Sequence, residues 1–291
     1  MRVPAPRLPV WFQDHPRGFE RNRYVYPVVS RRARGVSLGI NLNPDKVCNF
    51  DCIYCQVDRT RGGRERFVDL PVVLQELDVL LRLVRSGQLF QHPRFASVPE
   101  QLRTLRDMAF SGDGEPTTFA NFDQIIQQCI RWKQRSGVPQ LKMVLITNAT
   151  MFHRPQVQRG LELLDRHQGE IWAKLETGTE QYYRRVARTS IPFRGVLENI
   201  TQAARVRPLV IQSLFMKIAG EPLPESELAA YCDRLQEILA RGGRIRRVQV
   251  YTVARPPAES YVEPLSEEHL AHIAETIRRR CGLEVECYGS G

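Results

Sequence analysis

The sequence predicts an α/β fold of parallel strands joined by helices, on three observations. From Val36 onward, β-prone runs alternate with helical stretches, the pattern of consecutive βα units. No Pro/Gly/Ser-rich linker interrupts that alternation. The chain has 291 residues, 42% hydrophobic and 25% charged, which suffices to bury one large core or two small ones. Six or seven βα units suit an open or closed β/α barrel, and a doubly wound sheet would give the same alternation.

The strands expected are Val36 to Leu42, Leu105 to Ser111, Leu141 to Asn148, Ile171 to Thr177, Leu209 to Ile218, Ile245 to Val253 and Leu283 to Tyr288. Helices are expected between them, at Pro71 to Ser86, Phe122 to Arg135, Pro155 to Arg166, Phe193 to Arg205, Ser226 to Arg241 and Ser266 to Arg280. Ser266 ahead of Glu267 and Glu268 is a start signal, and Gly242 and Gly282 stand where helices stop. Before Val36, eight arginines are interleaved with Trp11, Phe12, Phe19, Tyr24 and Tyr26, which reads as an irregular basic arm over residues 1–35.

Charge and cysteine usage narrow the class. The 42 Lys+Arg against 32 Asp+Glu give +10, which permits a polyanionic partner. Thirty-seven of those cations are arginine, a bias that GC-rich coding produces as readily as phosphate binding does. No run of apolar residues is long enough to span a bilayer, and the first residues lack a signal-peptide apolar core, so a cytoplasmic protein is expected. Three of the seven cysteines fall within eight positions, and in a reducing compartment crowded thiols point to a metal.

Those three are Cys48, Cys52 and Cys55, spaced C-x3-C-x2-C directly after the first expected strand. Three thiolates from one loop can hold three corners of an iron-sulfur cube and leave the fourth iron open. A structural zinc site would need a fourth ligand, and no second C-x2-C or His pair follows. The segment Ser111-Gly112-Asp113-Gly114-Glu115-Pro116-Thr117 closes the second expected strand; its glycines expose backbone carbonyls beside a carboxylate. In β/α barrels reactive groups collect at the C-terminal ends of strands, and Lys174, Glu176, Ser213 and Lys217 are polar groups expected to point inward there, either as a buried ion pair or as ligand contacts.

The three-cysteine loop, with Tyr54 at its aromatic position, resembles the signature C-x3-C-x-aromatic-C of the radical S-adenosylmethionine (SAM) enzymes. The glycine segment is similar to that family's G-G-E-P, with Asp113 set between the glycines. The resemblance implies a partial (β/α) barrel over 36–291 in a single domain, with the arm over 1–35 ahead of it. It implies one 4Fe-4S cluster on Cys48, Cys52 and Cys55, and SAM as cosubstrate, cleaved to a 5'-deoxyadenosyl radical. Tyr54, Gly112, Gly114, Glu115, Pro116, Asn148, Glu176, Thr177 and Ser213 would then lie around SAM, and a reductant such as flavodoxin or ferredoxin would supply the electron. No residue is singled out as the catalytic contact to substrate.

Within the family, the strand entering the cysteines, the S-G-D-G-E-P-T segment and Ala254-Arg255-Pro256-Pro257 look closest to the branch containing the wybutosine-synthesis enzymes. The wybutosine enzyme draws a second cluster from N-terminal cysteines, whereas no cysteine precedes Cys48 here. RNA or tRNA, a peptide and a small metabolite are the substrate classes left open. The reading from another class is a non-catalytic metal- or RNA-binding protein that retains a cysteine knuckle.

Overall fold

A computed structural model describes residues 19–57 and 68–289. An eight-stranded sheet forms its centre: β1 (Val25–Ser30), β2 (Gly35–Ile40), β3 (Leu105–Phe110), β4 (Lys142–Thr147), β5 (Gly169–Lys174), β6 (Leu209–Leu214), β8 (Ile245–Tyr251) and β10 (Val285–Tyr288), in that spatial order. From β2 to β10 every pairing is parallel, and the sheet curls into a partial barrel. Helices α1 (Leu70–Arg85), α2 (Phe122–Arg135), α3 (Pro155–Arg166), α4 (Glu180–Ala187), α5 (Phe193–Val206), α6 (Glu225–Ala240) and α7 (Glu267–Cys281) connect the strands. Among the described residues no helix is long and apolar enough to cross a membrane.

Side-chain alternation sorts the two faces of the sheet. Met108, Phe110, Met143, Leu145, Ile171, Ile211, Val248 and Val250 join the large core shared with the helices. Their strand neighbours Ala109, Val144, Trp172 and Val210 form a separate small cluster. Several residues of that second parity, including Asp107, Ala109, Val144, Trp172 and Lys174, line a cavity within the curled sheet. A period of two therefore divides each strand into a helix-facing row, which is mainly apolar, and an inner row that carries polar groups.

Two expected boundaries change. Within its described residues the arm is not irregular: β1 pairs antiparallel with β2, from Val25 opposite Ile40 to Ser30 opposite Gly35, so the expected 35/36 boundary falls at the foot of this hairpin. Tyr24, Val25, Tyr26 and Val29 are core residues. The buried carboxylate of Glu76 in α1 accepts hydrogen bonds from the backbone N–H of Arg23, Tyr24 and Val25 at 2.7–2.9 Å, fixing the start of the strand. Pro27 is tolerated because β1 is the sheet edge, where one N–H is not needed. Trp11, Phe12 and the first arginines lie outside the described residues.

The strand expected over Leu209 to Ile218 breaks at Phe215. Its second part, β7 (Met216–Ile218), leaves the sheet and pairs antiparallel with β9 (Val262–Pro264). Lys217 accordingly sits on this small ribbon and not inside the barrel. The helix signals at Ser266 and Gly282 hold: the Ser266 hydroxyl accepts from the His269 N–H, and Gly282 ends α7 at φ 66°.

Candidate active site

The cysteine loop follows β2 and is tied down at both ends. At its base, Asn41 Oδ1 accepts from the N–H of Asn43 and of Asp113, and Asn41 Nδ2 donates to Asp113 Oδ2 at 2.7 Å. The Asp between the glycines therefore joins the glycine turn to the cysteine loop. The same closeness explains the glycines. A Cβ on Gly112 would lie 2.2 Å from Asn41 Oδ1, and one on Gly114 would lie 2.0 Å from the Val47 carbonyl oxygen. A side chain at either position would push the turn away from the loop.

At its far end the loop docks on α4, an element that the sequence reading missed. Asp51 and Ile53 donate their N–H groups to the carbonyls of Ala187 and Val186, both at 3.0 Å. Arg188, in the left-handed region at φ 45°, ends α4 and donates to the Asp51 carbonyl at 2.7 Å. Asn49 is held from the β4 end: it donates to Thr150 Oγ1, and Asn148 donates to its Oδ1, each at 2.7 Å. The signal for α4 was present in Thr179, whose side chain caps the Tyr182 N–H, with Glu180 in the first turn.

Cys48, Cys52, Cys55 and Tyr54 line one cavity of about 350 Å³ with Gly112, Gly114, Glu115 and Asn148. That size is adequate for a small-molecule ligand. The three thiols are free of disulfides, and Cys52 and Cys55 are linked through the Cys55 N–H to the Cys52 carbonyl at 2.9 Å. Among the described residues no three His, Cys, Asp or Glu side chains converge on a single ion position. A cube, whose corners are separate irons, asks instead for thiolates spread around a wall, and three soft donors on one cavity fit it. The other cysteines are dispersed: Cys129 is buried in α2, Cys281 of α7 donates to the Cys232 carbonyl of α6, and Cys287 is exposed on β10.

The remaining expected ligand residues divide in two. Glu115 is a clasp between strand ends: its carboxylate accepts from Thr117 N–H, Thr117 Oγ1, Thr147 Oγ1 and the Asn148 N–H at 2.5–3.0 Å. Burial pushes its carboxyl up while these donors pull it back. Pro116 opens the short 3₁₀ turn that follows, and it is buried away from the cavity.

Glu176 also stands behind the wall. It accepts from the Tyr54 hydroxyl at 2.6 Å and pairs with Lys174 at 2.8 Å, and the Lys174 ammonium lies 4.6 Å from the centre of the Tyr54 ring. Burial works against the Lys174 charge, but Glu176 holds its ammonium above the ordinary lysine value; burial likewise pushes the Tyr54 phenol well up, so it stays protonated. The ion pair thus orients Tyr54. Ser213 does not face the cavity: it lies on the helix-facing row, within 2.6 Å of the Leu175 carbonyl and 2.7 Å of the Tyr231 hydroxyl on α6. Thr177 is buried, and its hydroxyl is without a hydrogen-bond partner.

Comparison with known proteins agrees with this geometry. The chain is 21% identical over 273 residues to a protein named GTPase Obg from Brachyspira hyodysenteriae, covering 91% of this chain but only 35% of that one. It is 25% identical over 251 residues to a UPF0026 protein from Helicobacter pylori, covering 84% of this chain and 70% of the relative. In fold it is similar to a radical SAM methyltransferase from Sphaerobacter thermophilus, with a TM-score of 0.63 at 12% identity, covering 90% of this chain and 68% of the other. It is also similar to TYW1 with a lysine-pyruvate adduct bound, with a TM-score of 0.51 at 12% identity over 85% of this chain and 74% of the other. The Radical SAM superfamily model matches residues 42–217, more than half the chain and the whole span from the cysteine loop to β7. The cysteine loop, the glycine turn and the partial barrel around them therefore make this chain a member of the radical SAM superfamily, and an enzyme of that class.

Proposed function

We propose that the protein reductively cleaves SAM at a 4Fe-4S cluster held by Cys48, Cys52 and Cys55, producing a 5'-deoxyadenosyl radical that takes hydrogen from a substrate in the same cavity. The observation that carries this reading is that all three thiols and the glycine turn line one cavity. When bound, the cluster supplies the electron, delivered to it by an external reductant such as flavodoxin or ferredoxin, and SAM supplies the adenosyl group.

The chain's own residues bind and orient. Tyr54, held by Glu176, presents a fixed ring beside the cysteines for the adenine. The backbone of Gly112 and Gly114 lines the cavity where the amino group of SAM would be received. Glu115 fixes the spacing of the β3 and β4 ends, Pro116 starts the turn that holds it, and Asn148 steadies the loop through Asn49. Ser213 ties the β5 end to β6 from behind through the Leu175 carbonyl, and the Thr177 hydroxyl is buried without a hydrogen-bond partner.

An RNA or tRNA substrate rests on the charge of +10 and the arginines of the arm. The described aromatics of that arm, Phe19, Tyr24 and Tyr26, are buried and offer no face for base stacking. The test of the proposal is anaerobic reconstitution with iron and sulfide, then chromatography for 5'-deoxyadenosine after adding SAM and dithionite. Production by the parent protein and its loss in Cys52→Ala are expected. Iron incorporation without any SAM cleavage would overturn it.

A further inference from the structure

The cavity is lined by two polar groups that the cysteine loop and glycine turn do not use. From Tyr54 the contacts run through Lys174 to the Tyr251 hydroxyl at 3.4 Å, and the far side of Tyr251 meets Arg32 from the β1–β2 turn. The Arg32 guanidinium lies 4.4 Å from the Tyr251 ring centre, 5.6 Å from that of Tyr288 and 5.9 Å from that of Trp172. It lines the cavity, and its Nε is buried without a hydrogen-bond partner.

Every neighbouring charge is already engaged. Arg31 donates to the Gly289 carbonyl at 2.6 Å, Lys174 is paired with Glu176, and Glu286 is held by Arg247 and Tyr288. Among the described residues no carboxylate pairs with Arg32. A guanidinium fixed by aromatic faces, with a buried N–H directed at no protein acceptor, is preorganised for an oxyanion.

The second group is Asp107 on β3, which also lines this cavity. It is 5% exposed; one carboxylate oxygen takes the Ser37 hydroxyl, and Oδ1 is buried without a partner. A buried acceptor without a partner, lining the same cavity as a cationic donor, describes a ligand that brings both an anion and a hydrogen-bond donor.

We propose that Arg32 and Asp107 form the substrate-recognition end of the cavity and take a small organic acid, with its carboxylate or phosphate on Arg32 and a hydroxyl or amino group donating to Asp107. This rests on the radical SAM reading of the same cavity. The structural alternative is that Arg32 only ties the hairpin to β5, β8 and β10 through its aromatic neighbours.

Isothermal titration calorimetry on the anaerobically reconstituted protein with SAM separates these readings, using glycolate, acetate and inorganic phosphate as probes. Saturable binding of glycolate assigns a carboxylic acid, and saturable binding of phosphate assigns a phosphorylated one. Arg32→Gln weakens the bound probe at least tenfold, whereas Arg32→Lys, which keeps a cation, weakens it less. Asp107→Leu weakens glycolate and strengthens acetate, which has no donor and no longer faces a carboxylate. Thermal melts by circular dichroism identify any variant that fails to fold, and the Lys variant then carries the comparison.

Three outcomes overturn the proposal: no saturable heat with any probe, equal binding by the parent and Arg32→Gln, or competition between the probe and SAM, which would assign Arg32 to the SAM carboxylate. The SAM titration is a separate arm. Without SAM binding, the radical SAM reading of this cavity fails whatever the anions do.

Discussion

Replacing Asp107 by Asn tests whether the inner row holds a carboxylate at a cost to stability. Burial pushes the Asp107 carboxyl up to about 6, against the pull of the Ser37 hydroxyl, whereas a solvated aspartate titrates near 4, as roughly expected of model peptides. The folded protein therefore binds this proton more tightly than the unfolded chain does. Stability from this group is present at low pH and is lost as pH rises from about 4 through about 6. Two pKa units correspond to about 3 kcal/mol. Asn retains an acceptor for Ser37 and carries no charge, so the variant is spared this loss. Urea unfolding of both proteins at about pH 4, 5, 6 and 7 isolates the effect, because all other titrating groups are shared. The stability difference should shift toward the Asn variant by about 2 kcal/mol across that range, because the unfolded aspartate is already about half ionised at pH 4. A difference that does not change with pH would refute the reasoning. A carboxylate kept at this cost inside a cavity is what a binding site requires and what a purely structural strand avoids.

Glu115→Gln places an amide against either the Asn148 or the Thr117 backbone N–H, orphaning one buried donor. It should cost about 2 kcal/mol and lower the melting temperature by roughly 4–8 °C in a thermal scan. Glu176→Gln leaves the Lys174 ammonium without its counter-ion and should cost about 3 kcal/mol in urea melts. Combining it with Lys174→Met should cost less than the two single changes added together, because the unpaired charge is gone. Ala at Cys48, Cys52 or Cys55 should abolish iron retention after reconstitution, measured by metal analysis, while Ala at Cys129 or Cys287 leaves it in place.

The parallel sheet and its helices were legible because each element repeats its own period. Strand ends were legible as loci of polar residues, but which of those face inward is a matter of parity. Ser213 sits one residue from the inner-row Gln212 and so faces α6 instead. Lys217 is displaced because Phe215 interrupts the strand, a break set by its contacts with Tyr231 and the Tyr251 carbonyl rather than by any turn residue. β1 was hidden under its arginines: Arg21, Arg23, Arg31 and Arg32 flank a six-residue strand whose only recognition signal is VYPVVS, with a proline inside. Helix α4 is eight residues long and follows directly on a glycine-threonine turn, so its period is too short to stand out. At the site, the cysteines could be read from spacing. The roles of Asn41, Asp113 and Arg188 as fasteners of the loop depend on contacts across 72 and 137 residues of chain, which local pattern does not contain.

The most direct test of the central claim is the electron paramagnetic resonance spectrum of the anaerobically reconstituted, dithionite-reduced protein with and without SAM. The account predicts the signal of a reduced 4Fe-4S cluster that changes shape when SAM is added and is absent from Cys48→Ala, Cys52→Ala and Cys55→Ala. A protein that retains zinc in place of iron, or whose cluster signal disappears only on changing Cys281 or Cys287, would contradict it.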